Sequence, residues 1–172
     1  MDIFHEYLVE RKLRATDFFW SALICIAALV LIILSLPYLA FGITAVFDAA
    51  AVYFAYILIS RFKVEYEYVL TNSSLDIDKI YAKRKRTRVC ETDVKKFDVF
   101  APVGDKEFAC EENKRADKVI DCSTGHDKDA YYAIYYDNGK RFKLLFNPPS
   151  HMTESMAKFN PSRIRIENGQ NK

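Results

Sequence analysis

The chain has 172 residues, 25 Lys and Arg against 23 Asp and Glu, and a mean hydropathy of -0.10. That length holds one ordinary domain plus a membrane anchor, and a net charge of +2 excludes the profile of a dedicated nucleic-acid binder. The four cysteines, Cys25, Cys90, Cys110 and Cys122, contain no C-x-x-C and argue against a disulfide framework.

The average hides two populations. Residues 18 to 60 carry one charged side chain, Asp48, whereas residues 61 to 172 carry 22 Lys and Arg and 18 Asp and Glu, a balance of +4. Residues 1–17 are expected to form a cytoplasmic amphipathic leader. Ile3, Phe4, Tyr7 and Leu8 fall at helical spacing, which suits either a short helix at the membrane surface or on the domain, or a frayed leader.

Phe18 to Leu36 is an unbroken run of 19 apolar or small residues, and Leu39 to Ile59 is a second run of 21 that contains Asp48. A hydrocarbon core about 30 Å thick needs about 20 such residues. Only Pro37 and Tyr38 separate the runs, so residues 18–60 predict a transmembrane helical hairpin. A signal peptide would be shorter and would lack the second run. A buried hairpin in a soluble protein would show a polar face. Arg11, Lys12 and Arg14 before the first run and Arg61 and Lys63 after the second place both termini in the cytoplasm.

Asp48 falls near the middle of the second run, where a charged carboxylate costs about 2.5–3.5 kcal/mol. An ion or proton path is one reading. Helix association is favoured, because Gly42, Ala45 and Ala49 supply small residues at close-packing spacing. The first run offers Asp48 no obvious polar partner, so that role implies a homo-oligomer.

From Val64 the pattern turns to period two. Strands are expected at Val64–Leu70, Leu75–Tyr81, Thr87–Glu91, Lys96–Ala101, Lys118–Cys122, Ala130–Tyr136 and Arg141–Phe146, with residues 102–117 a long charged loop. Asn138–Gly139 accepts the positive φ angles of a tight hairpin. After Pro148 and Pro149, Met152, Met156 and Phe159 mark the apolar stripe of one helix, which Asn160–Pro161 ends. The domain is therefore placed at 61–160, with a polar tail at 161–172.

The sequence Tyr66-x-Tyr68-Val69-Leu70-Thr71-Asn72-x-x-Leu75-x-Ile77-x-x-Ile80, followed by Lys83-Arg84 and a third strand, resembles the opening of bacterial PH-like domains. The whole chain is similar to a family of small clostridial membrane proteins with two helices. The charged loop after residue 101 departs from that pattern. The resemblance implies an α+β fold, a seven-stranded PH-like barrel or sandwich with a C-terminal helix behind the transmembrane hairpin. It also implies binding or assembly at a membrane, with no catalytic residues to carry over.

Lys79, Lys83, Arg84, Lys85, Arg86 and Arg88 share one hairpin. Two readings stand: contact with anionic lipid headgroups or a partner, at about 1 kcal/mol per basic residue near the leaflet, or a solvated hairpin neutralised by Asp76, Asp78, Glu91 and Asp93, the commoner fate of a charge run. Tyr66, Tyr68, Tyr131, Tyr132, Tyr135 and Tyr136 read as core and rim rather than a nucleic-acid stacking platform. Cys110, Cys122 and His126 match no zinc spacing, and no cofactor is expected. There is no G-x-S-x-G, no H-E-x-x-H and no Gly-rich phosphate loop. The expectation is a non-enzymatic, membrane-anchored module whose partners are membrane lipid and a protein or itself. An accessory subunit of a membrane enzyme or transporter is the rival, and an enzyme with its site in loop 102–117 a third option.

Overall fold

The computed structural model describes residues 3–125 and 129–165. The chain divides into two compact units, Met1–Lys12 with Glu65–Ile80 and Arg86–Lys172, and Leu13–Val64 with Tyr81–Lys85.

The globular unit is built on two four-stranded sheets. The first contains β1 (Phe4–Glu10), β2 (Val64–Thr71), β3 (Ser74–Tyr81) and β4 (Lys85–Asp93) in that order. The second contains β5 (Phe97–Pro102), β6 (Lys118–Asp121), β7 (Tyr131–Asp137) and β8 (Lys140–Phe146), ordered β5-β7-β8-β6, with β6 parallel to β8. Among the described residues, eight strands in two sheets stand where seven were expected.

The extra strand is the leader. β1 pairs antiparallel with β2 from Phe4↔Thr71 to Glu10↔Glu65, so residues 4–10 form neither a surface helix nor a frayed end. Seven residues are too few to hold a helix in water, and the open edge of β2 satisfies their backbone groups. That partner lies about sixty residues downstream, so no local pattern announces it.

β2 is buried on both faces from Val64 to Tyr68, and β7 from Tyr132 to Tyr135, while β3 buries Leu75, Ile77 and Ile80 with more exposed residues between them. Tyr68, Leu70, Leu75, Ile77, Phe100, Tyr132, Leu144 and Phe146 are fully buried. The sheets are tied by polar bonds as well: Tyr68 O–H donates to the Cys122 carbonyl at 2.7 Å, and Tyr66 O–H to the Asp121 carbonyl at 3.2 Å. Burial lifts the Tyr68 hydroxyl pKa well above its ordinary value. Asn138 (φ 50°) and Gly139 (φ 74°) form the β7–β8 turn as their residue types dictate. The C-terminal helix α4 (Ser150–Phe159) buries Met152 and Met156. Ser155 O–H donates to the His151 carbonyl at 3.0 Å, and Ser155 Oγ lies 2.9 Å from His5 Nε2, which fastens α4 to β1.

Loop 102–117 carries a short helix, α3 (Ala109–Asn113). Buried Arg141 organises it, donating to the Glu111 carbonyl at 2.9 Å and to Glu111 Oε2 at 3.1 Å.

The helical unit has α1 (Ala15–Ser35), a 3-10 turn at Leu36–Phe41, and α2 (Thr44–Ser60). Neither helix contains a buried residue. Among the described residues one helical run, Ala15–Tyr38, is long and apolar enough to cross a membrane. α2 is shorter than its apolar run because Gly42 turns the chain at φ 67°; its 17 residues span about 25 Å.

Candidate functional site

The six cations adjacent in sequence on the β3–β4 hairpin have different surroundings in the fold. Arg88 reaches Glu91 at 3.0 Å, Asp78 at 3.3 Å and Asp76 at 3.6 Å. Its pKa is raised by the bond to Glu91, then by Asp78 and Asp76. Arg86 holds Glu67 at 2.8 Å, and the Lys79 ammonium sits 5.9 Å from the Tyr66 ring centre. These three serve the sheet, much as a self-neutralised hairpin requires, except that Asp93 accepts from Lys95 N–H instead.

Lys83, Arg84 and Lys85 form the exposed tip. Arg84 N–H donates back to the Tyr81 carbonyl at 3.0 Å across a two-residue turn, with Ala82 at φ 50° and Lys83 at φ 57°. Ala82 N–H donates to the Lys63 carbonyl at 3.0 Å, which joins the tip to the segment leaving α2. Arg61 and Lys63 thereby enter the cluster. Nothing local in the sequence links residue 63 to residue 82; the link is made by the fold.

The partner of Arg86 is a buried acid of the globular unit. Glu67 is 2 % exposed. Burial raises its pKa, Arg86 pulls it back, and Glu6 and Asp78 raise it again. Its Oε2 is buried without a hydrogen-bond partner. Glu65 is buried as well, so both acids of the Val64–Leu70 alternation are removed from solvent.

In the helical unit, Ser35 O–H donates to Asp48 Oδ2 at 2.9 Å. Asp48 is near the start of α2 rather than mid-span, and the short connection puts it level with the end of α1. A polar partner therefore exists within the same chain. Gly42 lies in the turn, off the helix, which leaves Ala45 and Ala49 as an exposed small-residue pair. If this internal bond is what satisfies Asp48, Asp48→Leu should leave the size of the detergent-solubilised protein unchanged by light scattering; a smaller particle would restore an intermolecular role.

Cys90 and Cys122 are buried and Cys110 is exposed on α3. Burial pushes the Cys122 thiol up to about 12, and raises Cys90 as well. Among the described residues no three potential ligands gather around a metal-sized space; His126 lies outside them. Native alkylation at neutral pH should therefore label Cys110 and spare Cys90 and Cys122 until denaturant is added. Equal labelling before unfolding, read by peptide mass, would contradict this burial.

Loop 102–117 spends its acids on support. Lys114 holds the Glu111 carboxyl below its ordinary pKa, and Lys143 Nζ donates to the Glu112 carbonyl at 3.0 Å. A surface groove of about 540 Å³ beside it is lined by Asp98, Phe108, Glu111, Lys114, Tyr136 and Arg163. A general acid needs a raised pKa, the reverse of what Glu111 has.

No curated protein and no solved structure matches the chain. A family described as "Bacterial PH-like domain (DUF6106)" matches residues 1–166, which takes in β1, both apolar helices and both sheets. The mixed α+β fold, its two sheets and its closing helix agree with that match, and the chain belongs to this bacterial PH-like domain family.

Proposed function

We propose that this protein is a membrane-anchored, non-catalytic PH-like module, whose globular unit binds a protein partner or a second copy of itself beneath the cytoplasmic leaflet. The observation that carries this reading is the place of the apolar helices. They interrupt the first sheet between β1 and β2, and Glu10 is paired with Glu65. One folded body made from both flanks cannot straddle a bilayer, so the insert crosses an even number of times. Two apolar helices without a buried residue fit one crossing out and one back, in a multi-pass protein with both termini in the cytoplasm. A cleaved signal peptide fits poorly, since its removal would take β1 from the sheet.

Carbonate extraction of native membranes tests the anchor, and protease protection of tags at both ends tests the topology. Retention in the pellet with both tags on the cytoplasmic side is expected. Release into the supernatant, or tags on opposite sides, overturns the reading.

The Ser35–Asp48 pair supports a second reading, an accessory subunit acting through its helices. Swapping residues 18–60 for an unrelated hairpin preserves function in the first case and abolishes it in the second.

A further inference from the structure

The two units divide the charge unevenly. Of the 25 Lys and Arg in the chain, six (Arg14, Arg61, Lys63, Lys83, Arg84 and Lys85) fall in the helical unit, against two acids, Asp17 and Asp48, a balance of +4. The globular unit keeps the other 19 cations and 21 acids, a balance of -2. Five of the six cations gather where the Ala82–Lys63 hydrogen bond joins the hairpin tip to the end of α2, and all five are exposed. Asp17 accepts from Arg14 N–H at 3.0 Å in the first turn of α1, and Asp48 is bonded to Ser35.

Gathering five like charges is unfavourable in itself. The turn that presents them is unfavourable too. Ala82 and Lys83 take left-handed angles that crowd a Cβ, where Asn138–Gly139 of the same chain takes such angles with residue types suited to them. A lysine is held where glycine would relieve the backbone.

We propose that Arg61, Lys63, Lys83, Arg84 and Lys85 form a contact site for the headgroups of anionic phospholipids at the leaflet where α2 ends. This rests on the membrane-anchored reading above. The site is an exposed collar of point charges at the end of an apolar helix, which suits a charged sheet of headgroups better than one enclosed phosphate. Lys79, Arg86 and Arg88 lie outside it, in the globular unit. The collar also offsets the repulsion between a net-negative globular unit and an anionic surface.

The test titrates the full chain, in zwitterionic detergent micelles, with phosphatidylglycerol or phosphatidylcholine, and counts bound lipid by native mass spectrometry. Phosphatidylglycerol should be preferred, and less so as salt rises. The triple variant Lys83→Ala, Arg84→Ala, Lys85→Ala should weaken its apparent affinity on the order of a hundredfold. A charge-matched control at exposed Lys95, Lys96 and Lys140 should change it less than about twofold. Lys83→Gly should raise the melting temperature while weakening phosphatidylglycerol binding, opposite signs that a folding defect cannot produce. No preference in the wild type, equal loss in both triple variants, or displacement of the lipid by inorganic phosphate overturns the proposal. Carbonate extraction keeps the two readings apart: a chain released from membranes sinks the anchor, while a retained chain without lipid preference sinks the collar alone.

Discussion

Phe100→Ala is expected to lower the stability of the globular unit by about 4 kcal/mol. Phe100 has no exposed surface. Its ring stacks on Tyr131 at 5.0 Å and lies 6.2 Å from Phe97 and 5.8 Å from Phe146. Its backbone also ties in the C-terminal segment, donating to the Arg163 carbonyl at 3.0 Å and accepting from Arg165 N–H at 2.8 Å. Truncation removes a large transfer term and opens a cavity among rings that cannot all collapse into it. Against a typical total of about 5–15 kcal/mol, that loss removes between roughly a quarter and four fifths of the unit's stability. The urea midpoint of the full chain in mild detergent, with Phe100→Leu as the milder comparison, measures it. Similar midpoints for Phe100→Ala and wild type would mean the second sheet does not depend on this ring.

Arg86→Ala is expected to cost about 2 kcal/mol near neutral pH, and progressively less as the pH falls. The Arg86 side chain is 58 % exposed, but its partner Glu67 is only 3 % exposed, so removing the guanidinium strands a buried carboxylate. The folded-state pKa of Glu67 is already raised, by burial first of all. Without Arg86 it rises further. An acid whose pKa is higher folded than unfolded binds more protons in the folded state between the two values. Stability therefore falls as pH rises through that window and recovers as the acid takes its proton below it. Adding Glu67→Gln to Arg86→Ala should flatten the dependence. An equal loss at about pH 5 and pH 7 would show that Glu67 stays ionised and that the cost has another origin.

How much was legible beforehand follows from the range of each interaction. The seven strands from Val64 onward, the Asn138–Gly139 turn and the Met152–Met156 stripe were readable, because side-chain alternation, turn chemistry and helical period are local. α1 was readable for the same reason. The identity of β1 was not, since its pattern of Ile3, Phe4, Tyr7 and Leu8 fits a helix face until a sheet edge is supplied from residues 65–71. The basic hairpin was legible only as a composition. Which cations are consumed depends on cross-strand neighbours such as Glu67 for Arg86 and Asp78 for Arg88, and on the hydrogen bond that brings Lys63 to Ala82. Asp48 was conspicuous in sequence, yet its partner Ser35 was overlooked because Gly42 shifts the start of α2 and sets the two side chains level.

By itself, then, the sequence determined what each segment prefers: two apolar helices in one block, a run of alternating strands, one amphipathic helix and a basic tip. Those preferences are written in consecutive residues and in the free energy of burying apolar surface. The tertiary structure alone decided that the helical block interrupts a sheet, that Arg86 and Arg88 pair with Glu67 and Asp78, and that the hairpin tip is hydrogen-bonded to the segment leaving α2. Strand pairing and charge pairing act between residues far apart along the chain, and only the folded backbone brings them within reach of one another.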